Sequence, residues 1–428
     1  MNALYNAGMH LYTGAAHLAG AGSVKIRHML AGQAETPGRL AALRDKLAPG
    51  GFDVWIHAAS LGEFEQSRPV IEALLKNKPE LSILLSFFSP SGYEVRHNFD
   101  PRVGVVYLPF DTPDKVSRFL DAASPRMAIF VKYEFWGNYL TELHKRHIPT
   151  YIISSIFRSK QIFFRPWGGM FRKMLRCFDH IFVQDDRSRR LLSGIGIDNV
   201  TVAGDTRFDR VTAICSKQRE MPEADIFMAA HKDSFTMVFG SSWEKDEDVY
   251  MPVLREHKDV CAIIAPHEFD SQRLELMAKR LGKDETMLYS ELSKLYSESP
   301  DKAREAAGRA RFLIVDCFGL LSSLYRYADA AYIGGGFGTG IHNINEAAVY
   351  GIPVVFGPNY SKFNEATELI ARGGAFSISD SRQFGKLFGR LISDGPFRTE
   401  AGRKSATYIA SKVGATATIM KDIFKIEP

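Results

Sequence analysis

Short apolar runs alternate with longer mixed segments along most of this chain, and the alternation predicts the architecture. The runs at 54–58, 83–88, 103–107, 127–131, 150–153, 180–183 and 201–203 are strand-length and mostly apolar, as strands buried on both faces are. Helical or loop segments separate them, which is the pattern of a parallel, doubly wound α/β sheet. The regularity lapses through a polar stretch containing Met221-Pro222-Glu223-Ala224-Asp225. A second series then runs through 236–239, 262–265, 312–315, 330–333 and 352–356. The pattern predicts two Rossmann-like domains with parallel sheets facing across a cleft, joined near 205–230. The boundaries read as 35–215 for the first domain, 225–405 for the second, and 406–428 for a terminal helix that packs back on the first.

Residues 1–34 form a separate region. Leu4, Ala7, Leu11, Ala15 and Leu18 recur at helical spacing with Asn6, His10, Thr13 and His17 between them. Such a helix either lies on a membrane surface or packs on the domain beside it.

In the second series, the strand at 330–333 runs into Gly334, Gly335, Gly336, Gly338 and Gly340, and a helix is expected from His342–Asn343 to Gly351, with Glu346 in its first turn. Glycines let the backbone turn tightly and approach a ligand. A helix N-terminus behind them favours an anion. The reading at this point is a nucleotide or sugar-phosphate pocket.

A length of 428 residues suits two domains better than one. The net charge of +5 is too small to mark a nucleic-acid binder. Four cysteines, widely spaced and without a C-x-x-C pair, argue against a disulfide framework or a metal site and suit a reducing cytoplasm. The N-terminus lacks the marks of a signal peptide, and no apolar stretch reaches the roughly 20 residues of a spanning helix.

Each candidate motif has a structural reading beside its chemical one. Ser60-Leu61-Gly62-Glu63 follows the first strand; S-x-x-E is a capping box, or Glu63 is a general base at the end of a strand where ligands of open sheets bind. Gly240-Ser241-Ser242-Trp243-Glu244 repeats that logic, with Ser241 and Glu244 as a cap or Ser241 and Ser242 as phosphate contacts. His267 ends another strand of the same half, either as a structural hydrogen-bonding residue or as a ligand contact. Lys132 and Glu134 form an internal ion pair, lie as surface charge, or hold the acceptor or the base. From Ile156 to Phe178 basic and large apolar residues alternate without acids. Arg158, Phe163, Phe164, Arg165, Trp167, Arg172 and Lys173 either dock on anionic lipid or pack aromatics inward with solvated charges; lipid is preferred to nucleic acid.

Taken in order, these pieces resemble the Kdo transferases, two-domain GT-B glycosyltransferases that move 3-deoxy-D-manno-octulosonic acid (Kdo) from CMP-Kdo onto a lipid A precursor. The H-A-x-S-x-G-E pattern appears as His57-Ala58-Ala59-Ser60-Leu61-Gly62-Glu63, and E-x-W-x-N as Glu134-Phe135-Trp136-Gly137-Asn138. G-N-x-K-F-D is similar to Gly204-Asp205-Thr206-Arg207-Phe208-Asp209. The most specific match is G-x-H-N-x-x-E at Gly340-Ile341-His342-Asn343-Ile344-Asn345-Glu346.

The resemblance implies an inverting transferase with Glu63 as general base. It implies donor contacts from Ser241, Ser242, His267, Gly335, Gly336, Asn343 and Glu346, the last to the cytidine ribose. Ser60, Gly62, Lys132, Glu134 and Arg207 fall in acceptor or supporting positions. It also implies CMP-Kdo and lipid IVA as substrates, no metal or other cofactor, no nucleic-acid partner, and peripheral attachment to an anionic membrane at the cytoplasmic face of the bacterial inner membrane.

The chain departs from the family pattern in three places. Pro266-His267-Glu268 stands where relatives show P-R-H-P-E, so a donor-phosphate arginine is missing and His267 is its candidate replacement. Ser154-Ser155-Ile156-Phe157-Arg158 replaces N-A-R-L-S, and Lys132 replaces a glutamate. A UDP-sugar transferase or sugar-nucleotide epimerase of the same fold is the alternative enzyme, and an assembly factor with a vestigial cleft is the non-enzymatic one.

Overall fold

The computed structural model describes residues 3–217 and 219–427 as two compact units. The first comprises Met1–Arg210 with Val413–Pro428, and the second Val211–Lys412.

The first unit carries seven strands: β1 (Val54–His57), β2 (Ile83–Phe87), β3 (Val103–Tyr107), β4 (Ala128–Val131), β5 (Thr150–Ser155), β6 (His180–Val183) and β7 (Val200–Val202). They form one parallel sheet in the order β3-β2-β1-β4-β5-β6-β7. Strands β1 to β5 are apolar on both faces because helices cover both. Trp55, Leu84 and Phe130 join one buried cluster, and Val54, Leu85 and Ile129 another. From β1 the chain steps outward through β2 and β3, then returns to place β4 on the other flank. The order therefore reverses between β1 and β4, and the crevice beyond the carboxyl ends of those two strands is where doubly wound sheets take ligands.

The second unit repeats the plan with β8 (Phe235–Ser242), β9 (Val260–Pro266), β10 (Thr286–Leu288), β11 (Phe312–Ile314), β12 (Ala330–Ile333), β13 (Val354–Phe356) and β14 (Ala375–Ser377). Its order is β10-β11-β9-β8-β12-β13-β14, again wholly parallel, with the reversal between β8 and β12. The two strands absent from the sequence reading, β10 and β14, are three-residue edge strands.

Three further differences have physical causes. Helix α1 (Ala3–Ala19) packs on its unit through Tyr5 and Ala16, with the Tyr5 hydroxyl donating to Asp111 at 2.6 Å. The leucine stripe points outward instead: Leu4, Leu11 and Leu18 are 77%, 75% and 81% exposed. Helix α2 (Val24–Leu47) runs straight through the boundary expected at 34–35, because Thr36 and Arg39 bond the β3 carbonyls of Tyr107 and Val105. The helix expected after the glycine run shrinks to one turn, Asn345–Ala348.

Helix α3 (Leu61–Asn77) covers one face of the first sheet and is itself covered by the last helix, Ala415–Phe424. Ile419, Met420 and Ile423 enter the same buried cluster as Phe64, Val70 and Leu74. Asp209 caps that last helix, accepting from the N–H groups of Gly414 and Thr416 at 2.6 Å each.

Candidate functional site

At the switch point of the first sheet, β1 ends at His57 and α3 begins at Leu61, three residues intervening. Ser60 holds the extended N-cap conformation, yet its hydroxyl donates to the Glu63 carboxylate rather than capping a backbone N–H. The capping-box reading therefore fails here. Glu63 stays partly exposed in the first turn of α3. Gly62 beside it is exposed, and a Cβ there would meet only the Ser60 hydroxyl at 3.7 Å, so packing within the chain does not require the glycine.

Glu134, beyond β4, is held from two sides. The indole N–H of Trp136 donates to it at 2.6 Å, and Nε2 of fully buried His57 lies 3.3 Å away. The chain of partners runs deeper: Ser86 Oγ accepts from the Trp55 indole at 2.8 Å and reaches His57 Nδ1 at 2.9 Å. A Ser86 hydroxyl donating to Nδ1 leaves the His57 proton on Nε2, aimed at Glu134, an assignment made from the network. Asn138 anchors the same loop by donating to the Asp111 carbonyl at 2.6 Å. The expected Lys132–Glu134 ion pair does not form. Lys132 instead lies 5.4 Å from the Tyr133 ring centroid, and its charge acts on buried Asp205.

Burial works to raise the Asp205 carboxyl. Arg207, through its charge and hydrogen bonds of 2.7 and 3.0 Å, overrides that and holds the group below the usual carboxylate range. Gln66 of α3 also donates to Asp205 at 3.1 Å. Arg207 is thus committed to bracing the helix that carries Glu63.

The strand ends carry backbone strain. Lys132, Ser154 and Ser241 have φ of +65°, +52° and +54°, a region non-glycine residues seldom occupy and which concentrates at functional sites.

In the second unit the switch point lies between β8 and β12. Strand β8 continues through Ser242, so Ser241 and Glu244 form no cap. The helix Glu244–Glu256 starts later, with the Asp246 carboxylate accepting from the Trp243 N–H at 3.0 Å. Ser242 is fully buried and spends its hydroxyl on Tyr250 at 3.1 Å and Glu247 at 3.3 Å, which removes its side chain as a phosphate contact. Asp246, fully buried, also accepts from the Tyr332 hydroxyl at 3.0 Å and the Gly335 N–H at 2.8 Å. That bond pins the glycine loop where Gly335 adopts a φ of +90°. Gly336 has a different reason to be glycine: a Cβ there would lie 2.5 Å from the Gly357 backbone. Its smallness serves contact between loops rather than approach to a ligand.

Beyond these loops opens a cavity of about 800 Å³, lined by Trp243, Lys245, Phe269, Arg273, Gly335 and Thr339 among others. Arg273 is paired with Glu247 at 2.6 Å and Glu244 at 3.1 Å. Lys245 is exposed, and among the described residues no carboxylate lies within ion-pair distance of it. Sequence reading missed Lys245, Asp246 and Arg273; the signal was the crowding of acids and a lysine directly after a strand end.

His267 and His342 stack at 4.3 Å between centroids, with Trp243 tilted against His267 at 4.6 Å and its indole N–H donating to His342 Nε2 at 3.1 Å. Burial, and secondarily the charge of His267, push His342 down to about 4. His267 is also pushed down, by burial, with Glu268 opposing. A neutral imidazole is a poor stand-in for a phosphate-binding arginine, so binding through a charged His267 near neutral pH is not what this environment favours.

The pair has a stability consequence. As pH falls, the unfolded chain takes up the His342 proton at its ordinary 6.5, before the folded protein does near 4. Stability that is complete above 6.5 is therefore lost progressively toward 4. The urea midpoint of His342→Gln should fall less between pH 7.5 and 4.5 than that of the parent; equal losses would exclude His342 as the source.

Glu346 accepts from the Ser322 hydroxyl at 2.6 Å and the Asn343 amide at 3.1 Å, and stays partly exposed. Because the element behind Asn343 is a single turn, it supplies little macrodipole, and anion binding here falls to loop amides and side chains.

The basic aromatic segment mostly turns inward. Phe163 is buried, Phe164 and Phe171 pack against the first unit's core, and Arg172 donates to the carbonyls of Phe163 and Arg165. Trp167 remains 71% exposed, with Arg158, Arg165 and Lys173 exposed beside it in sequence.

Residues 27–210 match the family model described as 3-deoxy-D-manno-octulosonic-acid transferase (kdotransferase). The 3-deoxy-D-manno-octulosonic acid transferase of Bordetella pertussis is 26% identical over 392 residues, covering 86% of each chain. That of Aquifex aeolicus is 25% identical over 352 residues, covering 79% of this chain and 86% of its own. Among solved structures, the UDP-GlcNAc 2-epimerase of Neisseria meningitidis superimposes with a TM-score of 0.60 at 14% identity, over 87% of this chain and all of that one. Acinetobacter baumannii MurG gives 0.55 at 13%, over 88% and 100%. These structural likenesses show the fold, which is GT-B-like.

Proposed function

As a member of the Kdo transferase family this chain is a glycosyltransferase, and we propose that it moves Kdo from CMP-Kdo to lipid IVA with inversion. The observation that carries the reading is Glu63. It stands at the carboxyl end of β1, within the segment matched to the family, held by Ser60 and backed by the Gln66–Asp205–Arg207 network.

In this reading the Glu63 carboxylate takes the proton of an acceptor sugar hydroxyl. The freed oxygen pair attacks the anomeric carbon of Kdo on the face opposite CMP. The bond from that carbon to the phosphate oxygen breaks, and its electrons leave with CMP. One displacement turns a β-linked donor into an α-linked product, so no covalent intermediate is needed.

The departing phosphate is met by Lys245 and by amides of the glycine loop other than that of Gly335, whose N–H is held by Asp246; they act as preorganised charge and donors. Glu346 and Asn343 take the ribose hydroxyls. Trp243 offers an exposed aromatic face to the cavity. Glu134, oriented by Trp136 and His57, holds the acceptor.

Mass spectrometry of products from CMP-Kdo and lipid IVA tests the reading directly. A mass gain of one or more Kdo residues supports it. Thermal stabilisation by UDP but not by CMP would replace it with the UDP-sugar alternative.

Among the described residues no helix is long and apolar enough to cross a membrane. Membrane attachment is accordingly proposed as peripheral, through the exposed leucines of α1 and Trp167 with its basic neighbours. Flotation with anionic liposomes should be lost on Leu11→Asp with Leu18→Asp; unchanged flotation rules α1 out.

A further inference from the structure

A second cavity, of about 340 Å³, lies in the first unit among α1, α2, the loop after β3 and the helix Pro113–Ala123. Its walls are mostly apolar: Leu30, Pro37, Leu40, Phe110 and Phe119. Two cations, Lys115 and Arg118, also line it. Lys115 holds its ammonium 5.0 Å from the Phe110 ring centroid, and Arg118 pairs with Asp114 one helical turn away on the surface.

Set into this lining is Gln33, more than nine-tenths buried, whose amide nitrogen and carbonyl oxygen both lack a hydrogen-bond partner. Buried polar atoms are almost always satisfied, and an amide lacking partners on both ends asks for a group that can donate and accept. Neighbouring Thr36 is no such partner, since its hydroxyl is spent on the Tyr107 and Gly32 carbonyls.

An apolar enclosure with one orphaned amide and cations on its lining is the form of a small-ligand site rather than a packing fault. We infer that this cavity takes one acyl chain of the lipid acceptor, a hydroxyl or linkage amide on the chain meeting Gln33 and an anionic group meeting Lys115 and Arg118. The inference rests on the acceptor being the acylated lipid proposed above.

The size agrees. With about 30 Å³ per water-sized group, the cavity holds on the order of ten chain carbons. The route agrees as well. Helix α1 contributes His17 to the lining, and the next residue, Leu18, continues the exposed leucine stripe. A chain drawn from a bilayer touching that stripe has the cavity's rim at the neighbouring residue, His17. None of the residues given a role in proton transfer or donor binding lines this cavity, so binding here and chemistry are separable by mutation.

The test uses the full-length protein purified without detergent, with 3-hydroxytetradecanoate, tetradecanoate and tetradecanol as calorimetric probes. One equivalent of 3-hydroxytetradecanoate is expected to bind, more tightly than tetradecanoate. Ala34→Trp, which fills the cavity from an exposed position, should weaken it at least tenfold. Gln33→Leu should erase the preference for the hydroxylated chain. Lys115→Glu with Arg118→Glu should weaken the two acids but not the alcohol.

In transfer assays Ala34→Trp should raise KM for the acylated acceptor, leave kcat unchanged, and leave transfer to a deacylated acceptor alone. Equal affinities in the parent and in both the filling and charge-reversal variants would overturn the inference, as would no binding of any probe. If the parent transfers no Kdo yet loses chain binding on Ala34→Trp, it is the proposed activity that falls and the cavity assignment that stands.

Discussion

Replacing Glu63 with glutamine should lower kcat by about 10²–10⁴-fold, the range a positioned general base supplies, while the folded protein persists. The side chain is partly exposed, and among the described residues its close partner is the Ser60 hydroxyl, which an amide oxygen can still accept from. Stability should therefore move by no more than about 0.5 kcal/mol, as for ordinary surface changes. Ser60→Ala leaves the carboxylate in place and removes only what orients it, so its loss should be smaller than that of Glu63→Gln. Steady-state transfer rates and a urea midpoint for each variant decide the matter. Near-normal turnover in Glu63→Gln would remove the residue from proton transfer, whatever becomes of the family assignment.

The second large effect is on donor binding. Glu346→Ala deletes a carboxylate already oriented by Ser322 and Asn343. Hydrogen bonds to a charged acceptor contribute about 1.5–3 kcal/mol, so CMP affinity measured by calorimetry should fall roughly 10- to 150-fold. Ser322→Ala should cost less, because Asn343 still holds the other carboxylate oxygen. Unchanged CMP affinity in Glu346→Ala would place the nucleotide elsewhere.

Much of this architecture was legible because burial on both faces writes a strand as a nearly unbroken apolar run. β3, β6 and β12 are read to the residue for that reason. The edge triplets β10, Thr286-Met287-Leu288, and β14, Ala375-Phe376-Ser377, are not read, and the edge triplet β7 is read one residue late.

The site was legible in position but not in detail. Glu63, Glu134, Asn343 and Glu346 all fall near the strand ends that flank a reversal of sheet order, as spacing suggested. What spacing hides is competition for hydrogen bonds. Ser60 prefers a carboxylate to a backbone cap, Ser242 is consumed by Tyr250 and Glu247, and Glu134 takes Trp136 and His57 in place of Lys132. The orientation of α1 was hidden too. The pattern leaves open whether α1 lies on a membrane or packs on the domain; Tyr5 takes the docking face because its hydroxyl has a buried carboxylate to meet. Phe163 and Arg172 follow the opposite course, satisfying the fold where composition pointed to a membrane.

The return of the last helix to α3 has a consequence for biosynthesis. Ile419, Met420 and Ile423 join the buried cluster around Phe64 and Val70, with Phe424 and Ile426 packed against it, and Asp209 waits for the Gly414 and Thr416 amides across about two hundred residues of intervening chain. Most of the first unit precedes the second in the chain, but one face of α3 stays bare until Ala415–Phe424 has been made. Such uncovered apolar surface is what chaperones bind and what aggregates when they do not. A lesion that removes the helix Ala415–Phe424 would therefore strike the half of the protein made first.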